Sequence, residues 1–280
     1  MAIRKTLILT CISPQKKRPL PQNSTMTYTF SPPAKINLGL FIKGKRPDGY
    51  HILETLMYPL PQLADELEIS EHSKGLSLEM QGLDIEGDIE TNLCIKAFRL
   101  LQKQFPDLPT VHIWLKKNIP AGAGLGGGSS DAAATLTGMN TLFHLGLSME
   151  ELANMAAKLG ADVPFFLSEK PMLATGIGTD LQAFEIDLPF KIELITPPIH
   201  SSTVAAYKAL DYTKCDASRD LGEILCLPVD TWQKYLENDL EIPVFNMYPE
   251  LQKIKAELYE KGAIYAAMSG SGSAVFGLFE

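Results

Sequence analysis

The residues best suited to chemistry lie between Pro120 and Asp131, in the run PAGAGLGGGSSD. Gly122, Gly124, Gly126, Gly127 and Gly128 place five glycines in seven positions. Glycine is costly inside an ordered element, and its use is positive φ or close approach of backbone to a ligand. Ser129, Ser130 and Asp131 then open an Ala-rich helical segment running from Ser129 to Phe143. Free N–H groups and the positive end of that helix point back into the loop, which is the physical recipe for holding a phosphate. A merely flexible surface loop would carry polar flanks and no helix start, and this one has neither trait.

Several phosphate and hydrolytic chemistries fall away on spacing. Gly122 to Gly127 satisfies GxGxxG literally, but a dinucleotide fold needs a buried parallel strand before it and an acid about 20 positions later. The preceding strand alternates polar and apolar, and the stretch from Leu142 to Gly146 has no acid, so a nicotinamide-dependent oxidoreductase is disfavoured. Neither Gly-rich segment carries the Lys-Ser/Thr of a Walker loop. Protein-kinase signatures, GxSxG and HExxH are absent. Cys11, Cys94, Cys215 and Cys226 are scattered without a CxxC pair, which predicts no zinc site, no disulfide framework and a reducing compartment.

The elements that must position the loop follow from periodicity. Tyr28–Phe30, Ile36–Lys43, His51–Tyr58 and Glu66–Ser70 read as strands between Pro and Gly punctuation. Leu93, Ala97, Phe98, Leu101 and Phe105 share a helical face that starts near Asn92 and stops before Pro106. Val111, Ile113 and Leu115 alternate with polar neighbours in a half-buried antiparallel strand. Ser148 and Glu151 have capping-box spacing for a helix ending at Gly160. Further on, Lys191–Ile195 is a strand, Ser202–Leu210 a helix, and a helix runs from Pro249 to Gly262. Strands Ala263–Met268 and Ala274–Phe279 flank a second Gly/Ser loop. Without regular βαβ alternation the class is α+β, in two domains. The expected division is an extension over 1–26, an N-terminal domain over 27–184 and a C-terminal domain over 185–280.

Composition bounds the partners. The 280 residues are 45% apolar, enough for a sizeable core, with net charge −8. The first 25 residues hold five basic side chains and no acid, leaving −13 on the rest. Such a chain is a poor general binder of nucleic acid, and no apolar run approaches the ~18 residues of a membrane span. The extension lacks the apolar block and cleavage site of a secretory signal; it reads as disordered, with Met26 a candidate start. The expected location is cytoplasmic, and the expected assembly a monomer or weak homodimer.

Three motifs in order resemble the GHMP kinases. They are Pro33-Ala34-Lys35-Ile36-Asn37-Leu38, the loop with Gly124-Leu125-Gly126 and Ser129-Ser130-Asp131-Ala132, and Met268-Ser269-Gly270-Ser271-Gly272-Ser273-Ala274. The resemblance covers everything after the extension. It implies a ribosomal-protein-S5-like N-terminal domain, a ferredoxin-like C-terminal domain, and transfer of phosphate from ATP with Mg²⁺ to an alcohol. Tyr50-His51 in RPDGYH, the doubled GLGGGSSDAA, Gly160-Ala161-Asp162-Val163-Pro164-Phe165 and Asn238-Asp239-Leu240-Glu241 are similar to the branch that phosphorylates a cytidine-diphosphate-linked polyol of the non-mevalonate isoprenoid pathway. Other alcohols, such as homoserine or mevalonate, are the alternative within the family. A GHMP-fold binding protein without catalysis is the alternative outside it, disfavoured because Lys35, Asp162 and the loop serines are all present.

Roles follow from the resemblance. Asp162 is the expected base; its spacing before Val163-Pro164 alone favours a helix cap. Lys35 should lie beside it and stabilise negative charge, although a lysine at a strand start is ordinarily a solvated end. Pro120, Ala121, Gly122, Ala123, Gly124, Leu125, Gly126, Gly127, Gly128, Ser129 and Ser130 should hold ATP, with Ser129 or Ser130 offering a hydroxyl to Mg²⁺ or a phosphate. For the acceptor, Tyr50 and Tyr207 should supply aromatic faces, His51 a ring nitrogen, and Asn37 and Thr203 polar contacts. Gly270, Ser271 and Gly272 should form a second backbone wall. His72, His112, His144 and His200 show no ligand spacing and read as surface or edge residues.

Overall fold

The computed structural model describes residues 5–9, 26–83 and 88–280. In chain order the strands are β1 Lys5–Leu9, β2 Thr27–Phe30, β3 Pro33–Lys45, β4 His51–Ala64, β5 Glu66–Glu71, β6 Ser77–Gly82, β7 Val111–Lys117, β8 Met172–Thr175, β9 Asp180–Ala183, β10 Lys191–Thr196, β11 Tyr265–Met268 and β12 Val275–Phe279. The helices are α1 Leu93–Gln104, α2 Gly127–Leu142, α3 Met149–Leu159, α4 Thr203–Ala209, α5 Leu221–Leu225, α6 Trp232–Tyr235, α7 Glu241–Met247 and α8 Pro249–Glu260. They build three four-stranded sheets, in the orders β2-β5-β7-β6, β3-β4-β8-β9 and β1-β10-β12-β11.

The first sheet buries one face against α1, α2 and α3. Leu67, Ile69, Ile113 and Leu115 meet Phe98, Leu101, Leu136, Met139 and Leu152 there. β7 alternates strictly, so Val111, Ile113, Leu115 and Lys117 all point inward. It pairs antiparallel with β5, as its alternation suggests, and parallel with β6, an exposed polar edge that periodicity does not announce. Asn92 caps α1 by accepting from Cys94 N at 2.9 Å. Ser148 and Glu151 complete the capping box of α3. The helix after the glycine loop begins two residues earlier than its serines suggest. Its N-cap is Gly126 at φ +72°, with no side-chain cap, so main-chain conformation starts this helix.

The middle sheet is buried along nearly all of β3, because other elements cover both of its faces. Ile36, Leu38 and Leu56 from this sheet share one core with Leu194 and Phe276 of the third sheet and with Trp232 of α6. That core therefore draws on residues from both sides of position 185. On the far face of the third sheet, Leu251, Ile254 and Leu258 of α8 pack under Ala266 and Val275.

One expectation is corrected here. Part of the 1–26 extension is ordered: β1 runs antiparallel to β10, with Thr6 opposite Ile195 and Leu7 opposite Leu194. The edge of β10 offers unpaired main-chain groups that a β-prone segment can satisfy, and Leu7 packs against the core. Cys11 and the rest of the extension before Met26 fall outside the described residues.

Candidate functional site

The glycine loop is a wall between two cavities. One, of about 400 Å³, is lined by Asn92, Leu93, Lys117, Asp131 and every residue from Pro120 to Ser129. The other, of about 880 Å³, is lined by Lys35, Asp162 and all eight residues expected at the acceptor: Asn37, Tyr50, His51, Thr203, Tyr207, Gly270, Ser271 and Gly272. Gly122, Gly124 and Gly126 face both. Ser130 lies just below the first cavity, its hydroxyl buried without a hydrogen-bond partner. The Asp131 Oδ1 beside it is in the same condition.

The wall is held from behind. Lys35 N donates to Leu125 O at 3.0 Å, Ala274 N to Ala123 O at 3.0 Å, and Ser269 Oγ to Gly124 O at 2.9 Å. Thus β3 and the Met268–Ala274 loop fix the carbonyls, while the N–H side stays available. Gly124 sits at φ +75°, and a Cβ there would run into the Ser269 carbonyl. Gly124→Ala should therefore raise the KM for the phosphate donor about tenfold or more and lower the melting temperature, since left-handed strain of ~1–2 kcal/mol adds to a main-chain clash. Paired thermal melts and nucleotide titrations check this; unchanged affinity would free the wall of any binding role.

Lys35 and Asp162 meet in the larger cavity. Lys35 Nζ lies 3.5 Å from Asp162 Oδ2 and donates to Asn37 Oδ1 at 2.5 Å. Asn37 Nδ2 in turn donates to Thr55 Oγ1 at 3.0 Å, and that hydroxyl to Gly39 O at 2.6 Å. The ammonium is buried and held by this chain, whereas the Asp162 side chain keeps 35% exposure toward the cavity. Asp162 caps nothing: the 3₁₀ turn Pro164–Leu167 has Val163 at its N-cap and no side-chain cap bond. The helix-cap alternative is set aside by that geometry.

In the same cavity, the His51 ring stands 5.2 Å from Tyr207 and 6.3 Å from Tyr212. Burial, then the charge of Lys45, lowers the His51 pKa, favouring a neutral ring. Burial, then Asp162, pushes the Tyr207 phenol up, so it stays protonated. Tyr50 is exposed at the rim. Thr203 Oγ1 and Ser271 Oγ are 2.7 Å apart, and Ser201 Oγ donates to Ser271 O at 2.6 Å. Asn238 Nδ2 donates to Met268 O and Gly270 O, fixing the second backbone wall. His200, read as a surface residue, is exposed, with its ring against Gly122.

Sequence reasoning missed a buried charge cluster beneath the loop. Lys117 Nζ donates to both Asp65 and Asp131, all three side chains at most 4% exposed. Asp65 Oδ1 also accepts from Asn118 N and Ile119 N. The chain entering the loop is thereby tied to the helix leaving it. Burial and the nearby Asp65 raise the Asp131 pKa against the pull of Lys117. Burial alone would lower the Lys117 pKa, but the two carboxylates outweigh it and raise it. The available signal was the period of β7, which places Lys117 inward after Val111, Ile113 and Leu115. Among the described residues no group of three or more His, Cys, Asp or Glu could hold a metal ion.

Family models described as GHMP kinases N terminal domain and GHMP kinases C terminal match residues 92–170 and 224–280. With the relatives that share nearly its whole length, these matches define the class: the chain belongs to the GHMP kinase family, with its two-domain α+β fold. It is 50% identical over 252 residues to the 4-diphosphocytidyl-2-C-methyl-D-erythritol kinase of Bacteroides fragilis (strain YCH46), covering 89% of this chain and 90% of that protein. A crystal structure of a 4-(cytidine 5'-diphospho)-2C-methyl-D-erythritol kinase superposes with a TM-score of 0.78 at 35% identity, covering 90% of each chain. The homoserine kinase of Cytophaga hutchinsonii, at TM-score 0.67 and 16% identity over 93% of this chain and 87% of that one, shares the fold.

Proposed function

We propose that this chain transfers the γ-phosphoryl group of ATP to the 2-hydroxyl of 4-diphosphocytidyl-2-C-methyl-D-erythritol. The observation that carries the reading is the placement of Lys35 and Asp162 across a glycine wall from a phosphate cradle. The acceptor oxygen attacks the γ-phosphorus and its proton passes to Asp162. The bond to the bridging oxygen breaks, and ADP leaves. Phosphoryl transfer asks the protein mainly for alignment and charge stabilisation. Loop N–H groups face the phosphates, and the Lys35 ammonium, 3.5 Å from Asp162, offsets charge on the transferred group.

Ser129 and Ser130 would hold Mg²⁺ with the nucleotide, and the unpartnered oxygens of Ser130 and Asp131 fit a hard cation that prefers oxygen ligands. That ion supplies positive charge on the phosphate oxygens. Its ligands would come mostly from the nucleotide and water.

The aromatic end of the larger cavity favours a nucleoside-bearing acceptor over homoserine or mevalonate, which would leave His51, Tyr207 and Tyr212 without a partner. The buried Lys35 aimed at an open carboxylate favours catalysis over binding alone. Division at residue 185, a cytoplasmic location and a monomeric or weakly dimeric state belong to the same proposal. In support, Cys94, Cys215 and Cys226 are unpaired, and no helix among the described residues is long and apolar enough to cross a membrane. A coupled ADP-release assay with Mg²⁺-ATP against a panel of alcohols tests the reading. Turnover is expected with the cytidine-linked polyol; binding of that compound without ADP release would overturn it.

A further inference from the structure

Lys45 is the last residue of β3 and pairs in register with His51, the first of β4. Its ammonium lies 5.9 Å from the Tyr212 ring centroid, within cation–π range. Tyr212 also stands edge-on to His51, and all three residues line the larger cavity. Among the described residues no carboxylate forms an ion pair with Lys45, although Asp48 lines the same cavity and pairs instead with Arg46. A cation steered by an aromatic face, beside a base-reading imidazole and without an anionic partner of its own, is arranged to receive an anion from a ligand.

Building on the acceptor reading above, we propose that Lys45, steered by Tyr212, pairs with the diphosphate of the cytidine-linked acceptor and so selects nucleoside diphosphates over nucleosides. The geometry suits such a ligand. The base can lie among His51, Tyr207 and Tyr212, and the polyol must reach Lys35 and Asp162, which line the same cavity. The diphosphate is then the segment between them, and Lys45 opposes the base-reading residue at the start of that path. Lys45 also helps to hold His51 neutral, leaving a ring nitrogen able to accept from a base amine. Besides the catalytic-site Lys35, Lys208 also lines the cavity and is the competing candidate.

The test is calorimetric titration of the full chain with cytidine and with cytidine diphosphate, the ATP side being occupied by a non-hydrolysable ATP analogue. Lys45→Met should weaken cytidine diphosphate roughly fivefold, as befits a solvent-exposed charge pair, and leave cytidine nearly unchanged. Lys45→Arg should restore the diphosphate affinity, and the difference should shrink at high salt. In Lys45→Met the His51 ring should titrate higher by NMR, a shift that a purely structural lysine would not produce. Equal loss for cytidine and its diphosphate would overturn the proposal, because Lys45 would then only pack on Tyr212. No loss, or loss with Lys208→Met instead, would also overturn it. If the wild-type chain fails to prefer cytidine diphosphate to uridine diphosphate, the acceptor reading itself fails before any variant is compared.

Discussion

Asp162→Asn should bind both substrates and transfer the phosphoryl group about 10²–10⁴-fold more slowly. Asparagine keeps the shape of the side chain and can still accept a hydrogen bond from Lys35, but it cannot take the proton of the attacking hydroxyl. Because Val163 rather than Asp162 occupies the N-cap of the following turn, the melting temperature should hardly move. Lys35→Met should depress the same step, and the double variant should lose less than the product of the two singles, since the pair acts as a unit. The Lys35 change also leaves Asn37 Oδ1 buried without its donor, so its melt must be followed alongside its rate. Single-turnover transfer with all three variants is the measurement. A fully active Asp162→Asn enzyme would leave the reaction without its base.

The largest effect on stability is expected at Lys117. Lys117→Met leaves Asp65 and Asp131 facing each other in the interior with no cation between them. Breaking a buried ion pair by removing one partner destabilises by about 3–5 kcal/mol, a fall in melting temperature on the order of 10 °C for a chain of this size. The sign with pH is fixed by the same physics. The Asp131 carboxyl, already raised by burial and by Asp65, loses the ammonium that pulls it back down, so its folded pKa stands further above its unfolded one. The stability it contributes when protonated is present at low pH and is lost as pH rises through that folded value. The deficit should therefore be smaller at pH 5 than at pH 8, and Asp131→Asn in the Lys117→Met background should recover much of it. Melting curves of the two variants at both pH values decide the matter. A deficit independent of pH would mean that lost packing, not unpaired charge, is responsible.

The glycine loop, its cavity-lining neighbours and the long elements around it were legible because each rests on a local signal. Five glycines before a helix, a capping box at Ser148 and Glu151, and the alternation of β7 all declare themselves within a few residues. What stayed hidden depends on distance along the chain. Asp65 and Lys117 are 52 positions apart and meet only when β4, β7 and α2 converge. The strands β8 and β9 are four residues each, too short for a period to show. The cap reading of Asp162 failed for a related reason: whether a side chain bonds to its own turn or pairs with a lysine of the distant strand β3 is decided by tertiary packing. Lys45 carried no motif, and only the pairing of β3 with β4 and the approach of Tyr212 set it apart.

A partition made of main chain bears on any compound directed at either cavity. A target commonly escapes a drug by exchanging a side chain at the contact surface, but Gly122, Gly124 and Gly126 have little freedom to do so. A Cβ on Gly122 would strike the His200 ring, one on Gly124 the Ser269 carbonyl, and one on Gly126 would come within 2.7 Å of the Phe166 ring. All three residues also hold positive φ, which disfavours any L side chain. An inhibitor that draws its affinity from the amides of this wall, spanning both chambers or filling one, would confront the organism with a surface that resistance mutations can alter only at the expense of the fold.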